Sequence, residues 1–218
     1  MTASNVEVSQ DAVGTIARVV LFSIILGISL QLITLAAKMI GGADFPGIRL
    51  LLDFLGSITW AVLVCVGIGL GTIVMRSGVA MAGILGAVFA PIGFVAAKSV
   101  QKSVGLLLGL PSESLTSTVI ILGIIKALEY GFLGAMLAMM MKREYQQLKS
   151  YMMLGLGTGV VFGSMLVNAS IRIADSSGTP LTSAQIAGQT VNEVLFPVGC
   201  AIVIYVIQFM GNRISVVK

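Results

Sequence analysis

RVVLFSIILGISLQLITLAAK, residues 18–38, opens on an arginine, closes on a lysine and carries no charge between them. The 19 enclosed residues, Val19 to Ala37, are apolar or small apart from Ser23, Ser29, Gln31 and Thr34. An α-helix rises about 1.5 Å per residue, so about 20 such residues cross a hydrocarbon layer about 30 Å thick. This stretch is one membrane span bounded by two headgroup anchors.

The same ruler fits elsewhere. Asp53 and Arg76 enclose 54–75, Arg76 and Lys98 enclose 77–97, Lys149 and Arg172 enclose 150–171, and Glu193 and Arg213 enclose 194–212. A sixth apolar run, 115–141, is interrupted by Lys126 and Glu129 but is helix-compatible throughout. Transmembrane β-strands would be about 10 residues long with alternating polarity, and these runs do not alternate. Only helices satisfy the backbone in lipid over such lengths. The sequence therefore predicts an all-α integral membrane protein, one transmembrane domain over 1–218, with spans near 19–37, 54–75, 77–97, 115–141, 150–171 and 191–212.

Composition agrees. The chain is 57% hydrophobic and 10% charged, with a mean hydropathy of +1.04, against roughly 25% charge in an ordinary soluble domain. The formal charge of +4 comes from basic residues standing singly at the ends of apolar runs, which reads as headgroup anchoring rather than nucleic-acid binding. The partner implied is the lipid bilayer. There is no histidine, which removes imidazole relays, histidine-ligated haem or zinc, and triads built on histidine. Cys65 and Cys200 fall inside apolar runs and read as small buried hydrophobes, not as a structural disulfide. Residues 1–17 hold Glu7 and Asp11 but no lysine or arginine, so the first run reads as a retained helix rather than a cleavable signal.

An even number of spans puts both termini on one side. If that side is cytoplasmic it receives Arg18, Arg76, Lys142, Arg143, Lys149, Arg213 and Lys218, against Lys38, Arg49, Lys98, Lys102 and Arg172 opposite. The positive-inside rule then gives N-in, C-in. Short loops and sparse cysteine suit a bacterial inner membrane.

Residues 41–47, GGADFPG, read as a compact turn. Residues 99–114, unusually apolar for a loop, read either as an interfacial or re-entrant segment or as a loop packed on the helices. Thr182 and Gln185 have capping-box spacing, with Leu181 and Ile186 at staple positions, so the last helix is expected to start near Ser183. Pro91 and Pro197 remove the donors owed to the carbonyls of Ala87 and Glu193. The second, fourth and sixth spans end on Met75-Arg76, Met141-Lys142-Arg143 and Met210-Gly211-Asn212-Arg213. That period of about 70 residues fits three tandem helical hairpins.

Gly155, Gly159 and Gly163 recur every fourth residue, as do Gly67 and Gly71, and Gly123, Ala127, Gly131 and Ala135 form a further stripe. Small residues let helices approach closely in lipid. Such stripes serve packing within one chain or contact with other subunits, as a homo-oligomer or with different membrane proteins.

Lys126 and Glu129 are the leading candidate site. Three residues apart, they share a helix face and are able to pair. Counted back from Met141 at about 1.5 Å per residue, they lie about 22 Å and about 18 Å deep. A charge there costs at least about 2.5–3.5 kcal/mol, so it should face the bundle interior or water. As a functional pair they would form a coupling-ion, proton or substrate contact. As a structural pair, Lys126 would snorkel outward and a protonated Glu129 would bond a neighbour. Gln31 lies at similar depth and would reach Glu129 if those two helices touch. Asn168, Arg172, Asn192 and Glu193 would form a polar outer mouth. The methionines Met136, Met139, Met140, Met141, Met152 and Met153 read as adaptable packing rather than a metal site. Gly67-Ile68-Gly69-Leu70-Gly71 lies within a span and lacks the lysine of a phosphate loop. No cofactor, metal or enzyme activity is expected.

Two functions fit: a small transporter or channel-forming subunit with an intramembrane Lys/Glu site, or a non-transporting scaffold or accessory subunit of a larger membrane complex.

Overall fold

The computed structural model describes residues 3–74, 78–110 and 117–216. Six α-helices account for almost all of them: α1 Ala3–Ile40, α2 Arg49–Gly69, α3 Val79–Leu107, α4 Ser117–Lys142, α5 Leu148–Ser176 and α6 Ser183–Val216. A π-helical turn, Leu70–Val74, follows α2 directly. There is no strand among the described residues. Each helix is long and apolar enough to cross a bilayer. The protein is an all-helical bundle of six membrane-spanning helices.

Each helix packs on its neighbours in sequence, and α1 closes the ring against α6. The second, fourth and sixth helices also meet one another across the centre, whereas the odd helices fill the positions between them. Lipid-facing positions carry the large aliphatics, such as Leu21, Ile25 and Leu32 on α1 and Ile84, Val88 and Ile92 on α3, all exposed. The interior combines aliphatics such as Ile68, Leu133, Leu137 and Ile204 with small, aromatic and polar groups. Trp60 stands at its centre, with ring centroids 5.4 Å from Tyr130, 5.5 Å from Phe196 and 6.3 Å from Phe94.

Glycine sets the helix spacing. A Cβ on Gly155 would lie 2.6 Å from the Cα of Val198, and one on Gly159 would lie 2.5 Å from the carbonyl oxygen of Val194. Gly163 likewise faces Glu193. The fifth helix therefore lies backbone to backbone on the sixth. Gly71 meets Ala82 of α3, and Gly67 meets the Phe89 side chain. Gly86 abuts the Tyr130 carbonyl, which brings α3 equally close to α4.

The apolar segment after Lys98 is neither a loop nor a re-entrant dip as far as Leu107, because α3 continues through it. Its end is a glycine stop. Gly109 takes φ 69°, Leu110 N–H donates to Gly105 at 2.9 Å, and Gly109 N–H donates to Leu106 at 3.1 Å. These bonds cap carbonyls of the last turn of the helix. Residues 111–116 of that expected segment lie outside the described residues.

At the start of α6, the Thr182 amide donates to Gln185 Oε1 at 2.8 Å, and the Gln185 amide donates to Thr182 Oγ1 at 3.3 Å. Thr182→Ala is expected to cost about 1 kcal/mol. The loss should appear as faster amide exchange confined to the first turn of α6, and unchanged exchange there would refute the cap.

Candidate functional site

The even helices converge on a buried cluster of charge. Lys126 Nζ of α4 donates to Glu193 Oε2 of α6 at 2.6 Å, with side-chain exposures of only 5% and 8%. The same ammonium stands 4.7 Å from the Trp60 ring centroid and 5.9 Å from that of Tyr130. A desolvated cation over an aromatic face gains up to about 2 kcal/mol. The lysine thus has a carboxylate on α6 and an indole face on α2, and its charge ties three helices together.

Glu129 lies one helical turn along α4 and is fully buried. Among the described residues neither of its carboxyl oxygens accepts a hydrogen bond, and the Tyr130 hydroxyl also has no partner. Glu129, Glu193, Cys65 and Cys200 all lie within electrostatic reach of that hydroxyl. Two carboxyl groups therefore share one ammonium, and the ammonium is on Glu193.

No protein-family model matches this chain, and no curated protein or solved structure matches it. Function has to be read from the site itself.

The cluster regroups the residues singled out in the sequence. Lys126 and Glu129 are both buried, but the bond goes from Lys126 to α6 rather than to Glu129. Glu193, assigned above to an outer mouth, turns inward as the lysine's partner. The other members of that mouth do not join it. Asn168 is exposed, with its Nδ2 donating to the Ser164 carbonyl at 3.0 Å, Arg172 is exposed and Asn192 is half-buried. Gln31 is buried, but α1 packs on α2 and α6 and shares no extended face with α4.

Glu193 was placed at the wrong depth and Trp60 was missed, and both left a signal. The capping box starts α6 at Ser183, which puts Glu193 about 15 Å down the helix, well below its rim. Trp60 sits deep in a span instead of at the interface, where tryptophan is usual. Trp60, Lys126 and Glu193 also recur at roughly 66-residue intervals, close to the hairpin period.

The cysteines provide a further contact. Cys65 Sγ of α2 and Cys200 Sγ of α6 are 3.3 Å apart, both fully buried and both free thiols. They had been read as separate hydrophobes. In the fold they form one of the α2–α6 contacts beside the charge centre.

Proposed function

We propose that this chain is a small transporter or channel-forming subunit whose pathway passes the charge centre between α2, α4 and α6. One observation carries this reading: Glu129, fully buried and without a hydrogen-bond donor among the described residues, beside an ion pair that is complete without it. A purely structural bridge needs Lys126 and Glu193 alone. A further intramembrane acid adds at least about 2.5 kcal/mol to insertion and makes no bond in return. An acid of this kind marks an ion or substrate pathway. The excess of basic residues on the terminal side favours N-in, C-in placement, and short loops with sparse cysteine suit a bacterial inner membrane.

The test is reconstitution into liposomes under an imposed membrane potential, with proton and alkali-cation flux followed by internal dyes. Wild type should pass an ion, and Glu129→Gln should lose that flux while keeping its particle size and thermal stability. Unchanged flux in Glu129→Gln would remove the assignment.

A second reading, a non-transporting scaffold or accessory subunit, is favoured by the outer face of α5. Gly157, Ser164 and Asn168 are exposed there, and a Cβ on Gly157 would meet nothing within 4 Å. Small and polar residues at lipid-facing positions suit docking of another helix, from a second copy or a different subunit. On that reading wild type passes no ion, and substitutions at Gly157 or Asn168 lower recovery of partners from native membranes.

A further inference from the structure

We infer that the ion handled at this centre is a proton, and that it moves between Glu129 and Glu193 as Lys126 exchanges one carboxylate for the other. The inference rests on the pathway proposed above but is read by a measurement that needs no transport.

Lys126 neutralises Glu193 at 2.6 Å. Glu129 is fully buried, and among the described residues nothing donates to either of its oxygens. An ionised carboxylate without a donor in a dry interior is among the most costly arrangements a fold can hold. The charge assignment these contacts favour is therefore one ammonium, one carboxylate and one carboxylic acid, with net charge zero. The other titratable groups facing the centre are Tyr130 on α4, Cys65 on α2 and Cys200 on α6. None of them supplies a second positive charge. A proton needs only one carboxyl oxygen and no further ligands, so it is the cation that a buried acid with no donor is suited to take.

Reach comes next. Lys126 and Glu129 are three residues apart on one helix, the spacing at which side chains pair without any backbone movement. The lysine stem is flexible and its ammonium has three rotatable donors. The ammonium thus has two alternative acceptors, Glu193 across the helix gap and Glu129 on its own helix. The exchange balances. The proton on Glu129 passes to Glu193, the ammonium moves the opposite way, and the sum remains one acid, one carboxylate and one ammonium. No net charge appears in the low-dielectric interior at either end of the step.

The exchange also has direction. Counted from the ends at Met141 and Met210, Glu129 lies about 18 Å and Glu193 about 26 Å into the bundle at about 1.5 Å per residue. Transfer from one carboxyl to the other advances the proton by about 8 Å toward the far surface. In the first state the ion pair joins α4 to α6, and in the second it lies within α4. Proton position and helix linkage are therefore coupled.

Infrared spectroscopy of the full chain in lipid tests this through the carbonyl stretch of a protonated carboxylic acid. Wild type should show one such buried band, and Glu129→Gln should remove it. Glu193→Gln should remove it as well, although Glu129 is still present, because Lys126 is left with Glu129 as its only carboxylate. A band that persists in Glu193→Gln, a band that survives in Glu129→Gln, or no band in wild type each overturns the proposal. If Glu193→Gln does not assemble, Glu193→Asp withdraws the competing charge by one methylene and should weaken the band, and an unchanged band there is equally fatal. Normal flux in Glu129→Gln, by contrast, would refute the pathway and leave the spectra standing.

Discussion

Lys126→Met should destabilise the bundle by about 3–5 kcal/mol, the usual cost of removing one member of a buried ion pair and leaving the other uncompensated. Two carboxyls would then face an apolar interior with no cation between them, and the indole of Trp60 would lose the ammonium now 4.7 Å from its ring. A loss of that size is a large share of the about 5–15 kcal/mol that holds a typical fold together. Titration with denaturing detergent, followed by tryptophan fluorescence, reads it directly because Trp60 is the chain's single tryptophan. The double variant Lys126→Met, Glu193→Met should recover most of the loss, since a buried pair replaced by apolar groups of similar volume is often neutral. If the single variant unfolds like wild type, Lys126 and Glu193 are not a desolvated pair.

Gly159→Leu should part α5 from α6. The first atom of any side chain at Gly159 would lie 2.5 Å from the Val194 carbonyl oxygen and 3.0 Å from the Val194 Cα. Both are backbone atoms and cannot rotate aside. Overpacking of a tight interface costs typically about 1–3 kcal/mol, and more where the obstacle is rigid. The damage should reach the charge centre, because Glu193 immediately precedes Val194. Gly157→Leu is the control on the same helix, where a Cβ meets nothing within 4 Å. In the purified chain it should keep the wild-type melting temperature, while Gly159→Leu melts lower and elutes as a broadened particle. Equal behaviour of the two would mean that α5 does not lie on α6 as described.

Much of this was legible in the sequence because lipid imposes a hard ruler. Uncharged runs of about 20 residues leave little choice of secondary structure, and a capping box such as Thr182–Gln185 is a local device that needs no knowledge of the fold. The end of α3 was less legible. Val104 to Leu108 is as apolar as the span before it, and only the left-handed Gly109 ends the helix, which composition does not reveal. The ion pair was harder still. Lys126 and Glu129 declare themselves by interrupting an apolar run. Glu193, flanking one, resembles an ordinary boundary charge, and its inward turn depends on how α4 meets α6. Adjacency across a bundle is set by helix packing, and spacing along one chain carries little of it. The same holds for Cys65 and Cys200, whose contact no local pattern announces.

The distance in sequence between Lys126 and its partner also bears on how the protein is made. Glu193 is synthesised 67 residues after Lys126, an interval of several seconds at about 5–20 residues per second. During that interval the membrane must accept a helix carrying both a lysine and a glutamate near its middle. The one counter-charge at hand is Glu129, three residues away on the same helix. The nascent hairpin would therefore enter the bilayer with Lys126 on Glu129, and only the arrival of α6 would offer the ammonium to Glu193. On this account, the late helix completes the site by taking a partner that the earlier helix had been holding for itself.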